Sequence, residues 1–111
     1  MGGRKILTKS NEKTVFMNAI KRYGIPDQIQ VACEECAELI QALSKYQRVS
    51  KHQAHDKRKI QRCLNNITEE LADVSIMLDQ IKLMYGITDK AVTEVRAAKV
   101  ERLETHLSME G

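Results

Sequence analysis

The sequence contains a single proline and no tryptophan, and its five glycines lie near the termini or at predicted helix boundaries. Proline and glycine are the strongest breakers of regular structure, so their scarcity leaves long stretches free to be helical. No segment shows the apolar–polar alternation of a β-strand. With 111 residues, the chain is expected to form a single all-α domain.

Long apolar runs are also absent from the sequence. No stretch approaches the roughly 20 apolar residues that a membrane helix needs, and no apolar segment of a signal peptide follows the basic N-terminus. The three cysteines are an odd number and indicate no disulfide framework, which favours the reducing cytoplasm. Cys33 and Cys36 are expected to pack in the core, because no second pair follows at zinc-site spacing.

The spacing of apolar residues predicts four main helices in an antiparallel bundle. The first predicted helix starts after Ser10 or Asn11 and stops at Gly24, and the second runs from Asp27 to about residue 48. A polar loop is predicted over 49–56. The third helix is predicted from Asp56 to Gly86, and Thr88 caps the fourth. We therefore expect a flexible N-terminus over residues 1–9, one domain over 10–108 and a tail over 109–111.

The third helix carries apolar residues on two sides. Leu71 and Leu78 belong to the main stripe, whereas Ala72, Ile76 and Leu83 lie roughly opposite, at about 100° per residue. A helix that is apolar on two sides usually has neighbours on both. In so short a chain the second neighbour is either another subunit, which makes the protein an oligomer, or the rest of a monomer in which this helix is central.

Two acidic pairs lie on separate predicted helices, Glu35 with Glu38 and Glu70 with Asp73. Residues three apart in a helix share a face, one turn apart. Both pairs lie beside the apolar stripe of their helix, whereas a solvated acidic face would lie opposite it. Packing of the two helices would therefore bring four carboxylates together at the edge of the core.

Four converging carboxylates repel one another, by about 4 kcal/mol for two charges 4 Å apart at an effective dielectric of about 20. A bound cation relieves this repulsion. Oxygen ligands without a nearby histidine or cysteine favour Mg²⁺, with Mn²⁺ as a substitute, and Mg²⁺ readily takes phosphate oxygens as further ligands. The alternative is that the acidic residues cover a solvent face or pair with lysine and arginine.

The stretches EECAELIQAL and EELADVSIMLDQIKLMYGI resemble the two metal-binding helices of the MazG-like all-α nucleoside triphosphate pyrophosphohydrolases. The signature of that family is EExxE followed by ExxD. The resemblance implies a MazG-like bundle that acts in the cytoplasm as a homodimer or homotetramer. It also implies a Mg²⁺-dependent enzyme that cleaves an NTP or dNTP between its α and β phosphates, with metal ligands at Glu35, Glu38, Glu70 and Asp73.

Further roles follow from this interpretation. Glu38 is the candidate to orient or deprotonate the attacking water, or else it is a metal ligand only. Lys99 and Arg102, on the last helix, match basic positions of the family and are candidate phosphate contacts. Asn66, one turn before Glu70, is a third candidate substrate contact. For all three of these residues the alternative is an ordinary solvated helix face.

A different class of function is also compatible with the sequence. Basic residues are concentrated in residues 45–62, so the chain could be a non-enzymatic helical interaction module or a nucleic-acid-binding module. The net charge of +3 is too small to indicate nucleic-acid binding by itself, and no helix-turn-helix or aromatic RNA-binding motif is present. No nucleic-acid partner is therefore expected, and the basic segment is either solvated surface or a region that steers an anionic substrate.

Overall fold

A computed structural model describes residues 3–110, and all regular structure in that range is helical. The four helices are α1 (Lys9–Tyr23), α2 (Ile25–His52), α3 (Lys57–Tyr85) and α4 (Asp89–Glu110). The prediction of an all-α chain with four main helices is confirmed. Within the described range, no helix is both long and apolar enough to cross a membrane.

The helical structure extends slightly beyond the predicted domain limits. α1 already includes Lys9, and α4 runs on to Glu110. The outermost parts of the predicted flexible N-terminus and tail, residues 1, 2 and 111, lie outside the described residues.

Two helix starts agree with the cap residues predicted from the sequence. The Asp56 carboxylate accepts a hydrogen bond from the Lys59 backbone N–H at 3.1 Å, and the Thr88 hydroxyl accepts one from the Ala91 backbone N–H at 3.1 Å. Such bonds satisfy amide groups that have no partner inside the helix. Gly86 ends α3 with a left-handed backbone, φ 65°, as is common at helix C-termini.

The start of α1 differs from the prediction. Thr8 takes the cap position, and its hydroxyl accepts a hydrogen bond from the Asn11 backbone N–H at 3.1 Å. The helix therefore begins ahead of Ser10 and Asn11, which were the predicted cap residues. Several residues here can cap a helix, so the sequence pattern alone did not separate them.

The start of α2 also differs. Gly24 has φ 88° and ψ 154°, a conformation that almost only glycine adopts. This sharp turn lets α2 begin directly at Ile25, with Pro26 in its first turn, where proline is favoured. The predicted cap at Asp27 is therefore wrong, because that residue already lies inside the helix.

The far end of α2 lies beyond its predicted limit. The helix continues to His52, and only residues 53–56 connect it to α3. The first half of the predicted loop over 49–56 is therefore helical. The physical reason is that residues 49–52 contain no breaker and Val49 is buried, so packing holds the last turn where polar composition suggested a loop.

α2 and α3 pack as an antiparallel pair, and a short connection of this kind favours that arrangement. Near the start of α2, Gln28 donates a hydrogen bond to Gln80, near the end of α3, at 2.6 Å, and both side chains are buried. Seven residues are almost two helical turns, so residues at that spacing form a line along one face. The buried lines are Gln28, Ala42 and Val49 on α2, and Cys63, Glu70 and Met77 on α3.

α1 packs against both α2 and α3, whereas α4 has only marginal contact with the other helices. None of the residues of α4 is buried. Its apolar side chains, among them Val92, Val95 and Leu103, spread over about half of the helix circumference at about 100° per residue. They do not form one narrow stripe. Because α4 has so little contact with the other helices, the compact part of a single chain is the three-helix unit α1–α3.

The chain exposes more surface than a compact monomer of its mass. Its accessible area is 9264 Å², against about 6,200 Å² for a typical folded monomer of this size. Its radius of gyration is 18.0 Å, against about 13 Å for a compact domain of this length. The exposed residues include Leu71 and Leu78 on α3 and Ile40 on α2.

The prediction that Cys33 and Cys36 pack in the core is wrong for a single chain. Cys33 and Cys36 are both exposed, and only Cys63 is buried. Ile40 and Leu43 continue the same side of α2 one and two turns later, and they are exposed as well. The residues on this side of α2 are apolar, but no helix of the described chain covers them.

Candidate functional site

Three acidic side chains meet between α2 and α3, in the middle of the antiparallel pair. Carboxylate oxygens of Glu35, Glu38 and Glu70 all lie within 4.8 Å of one another. Three of the four predicted ligands therefore lie together, two from α2 and one from α3, whereas Asp73 is not part of this group. We call Glu35, Glu38, Glu70 and Asp73 the carboxylate cluster.

Asp73 joins this cluster through Glu35. Burial raises the pKa of Glu35 to about 7, and the negative charges of Asp73, Glu38 and Glu70 add to the effect. The side-chain interaction with Asp73 raises the pKa of Glu35 further, because two carboxyl groups can bond only when a proton lies between them. Asp73 itself is exposed, so it forms the outer side of the cluster.

Glu70 is the most deeply placed member. It is only 9% exposed and lies in the buried line of α3, between Cys63 and Met77. Burial raises the pKa of Glu70, and the neighbouring charges of Glu38 and Asp73 raise it further. A carboxylate therefore occupies a position at which the helix pair would ordinarily place an apolar side chain.

The buried oxygens of the cluster lack donors. Glu35 Oε2 and Glu70 Oε2 are both buried, and neither has a hydrogen-bond partner among residues 3–110. The ion pairs found in the same range are formed elsewhere, by Lys82 with Asp79 and Asp89. A buried charged oxygen without a partner is costly, so the site is incomplete without a proton or a cation.

The donor set fits a small hard cation. It consists of oxygen atoms only, and the described chain places no histidine or cysteine in the group. Such a set suits Mg²⁺ or Mn²⁺ rather than zinc. A second observation, beyond the acidity of the group, is that Glu70 Oε2 is a buried acceptor without a hydrogen-bond donor among residues 3–110.

An open groove of about 580 Å³ runs from the carboxylate cluster along α2. Glu38 and Glu70 form its acidic end, and Asn66 lines it from α3. Lys45 and Arg48 line it further along α2. One end of the groove is therefore rich in oxygen acceptors and the other end is basic.

The three predicted substrate contacts lie in different places in the structure. Asn66 lies in the groove beside Glu38 and Glu70. Lys99 and Arg102 lie on α4, where Lys99 borders a separate apolar groove together with Val95 and Leu103. A single chain therefore brings Asn66 to the carboxylates but does not bring the two basic residues of α4 there.

Sequence reasoning did not assign Lys45 and Arg48 to the site. They were part of the basic segment 45–62, whose role was open. A signal was nevertheless present, because Lys45 follows Glu38 by seven residues, which places it on the same face two turns later. His52, at the end of α2, and His55, in the connection, are exposed and do not line the groove.

Comparison with known proteins adds no relative from which a role can be transferred. No protein-family model matches the sequence, and neither a curated protein nor a solved structure shows significant similarity to the chain.

Proposed function

We propose that the protein is a cytoplasmic, Mg²⁺-dependent nucleoside triphosphate pyrophosphohydrolase, with Mn²⁺ as an alternative metal. The observation that carries the proposal is Glu70, whose Oε2 is buried and unpartnered and whose carboxylate has an oxygen within 4.8 Å of oxygens of Glu35 and Glu38. The resemblance of the two acidic stretches to MazG-like enzymes supports the same activity. The basic end of the adjoining groove supports an anionic substrate.

Glu35, Glu70 and Asp73 would hold the metal together with Glu38. The cation, when bound, would offset the negative charge that develops on the leaving pyrophosphate. Glu38 is exposed to the groove, so it can accept the proton of a water molecule there. The oxygen of that water bonds to the α-phosphorus, the bond from the α-phosphorus to the bridging oxygen breaks, and the products are a nucleoside monophosphate and pyrophosphate.

The proposal is tested with a panel of canonical and modified NTPs and dNTPs. We expect wild-type protein to release pyrophosphate from at least one of them with Mg²⁺, and not with EDTA. Glu38→Ala should lower this rate by about 100-fold or more, as expected for loss of a general base. A folded protein that releases nothing from any nucleotide would contradict the proposal and favour a helical interaction module instead.

We further propose that the protein works as a homodimer or homotetramer. The excess of accessible surface over a compact monomer is about 3,000 Å² per chain, which is enough for a large permanent interface. The exposed apolar residues Leu71 and Leu78 of α3 and the unpacked α4 would form it. Such an assembly would also complete the four-helix packing that a single chain lacks.

Light scattering coupled to gel filtration tests the assembly. We expect a mass of two or four times the chain mass of 12.7 kDa. Leu71→Lys should shift the protein towards monomer, because a charge at an apolar interface is unfavourable, whereas Lys21→Gln at an exposed position of α1 should not. A stable monomeric wild type at micromolar concentration contradicts this assignment.

A further inference from the structure

The basic end of the groove consists of two side chains with no partner in the described chain. Lys45 and Arg48 line the same groove as Glu38 and Glu70. Both are exposed, and neither takes part in the ion pairs or side-chain hydrogen bonds found in residues 3–110. Two free cations therefore lie beside a cluster of carboxylates without neutralising it.

Their positions on α2 allow both to reach back towards the cluster. At 1.5 Å per residue, Lys45 follows Glu38 by about 10 Å and Arg48 follows it by about 15 Å along the helix axis. Side chains on an α-helix lean towards its N-terminus. Lys45 and Arg48 line the groove, and their long side chains can therefore reach along it towards Glu38.

The charge balance of the cluster requires such cations if the substrate is a polyphosphate. Four ionised carboxylates exceed the charge of one divalent ion, so the loaded site stays negative and repels phosphate. Positive side chains in the same groove reverse this repulsion locally. Lys99 and Arg102 do not supply it within one chain, because α4 has only marginal contact with the other helices.

We propose that Lys45 and Arg48 bind the β- and γ-phosphates of the nucleotide, while the α-phosphate lies at the carboxylate cluster. This assignment rests on the proposed function for the identity of the substrate, but the phosphate-binding role is a property of the groove itself. Arginine offers two parallel N–H donors to phosphate, and lysine offers a compact charge. The nucleoside would then extend away from the basic end.

The probe for this role is inorganic tripolyphosphate with Mg²⁺, measured by calorimetry on the full chain. We expect Lys45→Gln/Arg48→Gln to raise its Kd by about 10- to 100-fold, the range expected for the loss of charge-assisted hydrogen bonds. Both residues are exposed, so the melting temperature should stay close to that of wild type.

The matched control is Lys51→Gln/Arg58→Gln. It removes the same two residue types from exposed positions of the basic segment that do not line the groove. We expect it to change the Kd of tripolyphosphate by less than about 3-fold at 0.15 M salt, because neither residue lines the groove and salt screens exposed charges. Equal weakening by both double variants would overturn the assignment, because it would show general attraction by the basic segment.

A parallel measurement of the KM for the nucleotide separates this proposal from the proposed enzyme activity. If the wild type hydrolyses a nucleotide and Lys45→Gln/Arg48→Gln leaves its KM unchanged, the groove assignment is wrong and the enzyme stands. If no nucleotide is hydrolysed but tripolyphosphate binding is lost in the groove variant alone, the phosphate site stands and the hydrolase does not. Absence of tripolyphosphate binding to the wild type overturns the groove assignment.

Discussion

Replacement of Glu70 by glutamine should abolish pyrophosphate release and, at the same time, raise the melting temperature of the metal-free protein. The two effects have one cause. Glu70 is buried in the core line of α3 and has an unpartnered oxygen, so its charge is unfavourable unless a cation is bound. Glutamine keeps the shape, removes the repulsion with Glu38 and loses the metal ligand. We expect activity to fall by at least about 100-fold, as when a preorganised charged group of an active site is removed.

The control for this prediction is Glu69→Gln, which removes the same charge from the adjacent, exposed position of α3. It should change neither the rate of pyrophosphate release nor the melting temperature in EDTA by much. Activity and thermal unfolding are measured for both variants and for the wild type. A Glu70→Gln protein that stays active, or that unfolds at a lower temperature in EDTA, would show that the carboxylate is a structural group.

The second large effect is an opposite response of stability to pH with and without Mg²⁺. Burial and the charge of Asp73 raise the pKa of Glu35 from 4.5 to about 7 in the folded protein. Between these values the folded state holds a proton that the unfolded state has lost, so stability falls as pH rises. The contribution of Glu35 is fully present below pH 4.5 and is lost as pH rises through 7. In EDTA, therefore, the melting temperature should drop from pH 5 to pH 8.

Mg²⁺ should reverse this trend, because it competes with the proton for the same oxygens. At a free concentration about 100 times its Kd, a ligand of the folded state adds about 2.7 kcal/mol. For a domain of this size that is an increase of about 10 °C or more in melting temperature. We expect this increase at pH 8 and a much smaller one at pH 5. Glu35→Gln should flatten the slope in EDTA, and an unchanged slope in that variant would contradict the assignment of the proton to Glu35.

The sequence was sufficient to predict most of the helical structure. Asp56, Gly86 and Thr88 were correctly identified as boundaries, because each has a residue type with a specific local role at a helix end. The end of α2 was placed wrongly because packing, not local preference, decides there. Val49 is buried and extends α2 through a segment whose polar composition suggested a loop.

The convergence of acidic residues was also predictable, but their depth was not. Three-residue spacing placed Glu35 with Glu38 and Glu70 with Asp73 on common faces, and the helix pair brings the faces together. Periodicity placed both pairs at the edge of the core, whereas Glu70 lies in the buried line itself. The exact register of two packed helices depends on long-range contacts such as the bond from Gln28 to Gln80, which no local pattern contains.

The positions of the basic residues also depend on long-range contacts that local sequence patterns do not contain. Lys45 and Arg48 belong to a charged segment that composition alone describes as solvated surface, and their place in the groove depends on where α3 supplies Asn66 and Glu70. Lys99 and Arg102 were selected by resemblance, and they lie on the helix that packs least within one chain. Their role as phosphate contacts remains a prediction that depends on the assembly.

The central claim is that the carboxylate cluster directs water to the α-phosphorus of a nucleoside triphosphate. The most direct test is ³¹P NMR of the products formed with Mg²⁺ in ¹⁸O-enriched water, with Glu70→Gln as the inactive reference. We predict pyrophosphate without label and a nucleoside monophosphate that carries one ¹⁸O on its phosphorus, and no products with the variant. Labelled inorganic phosphate together with a nucleoside diphosphate, or equal turnover by Glu70→Gln, would contradict the account.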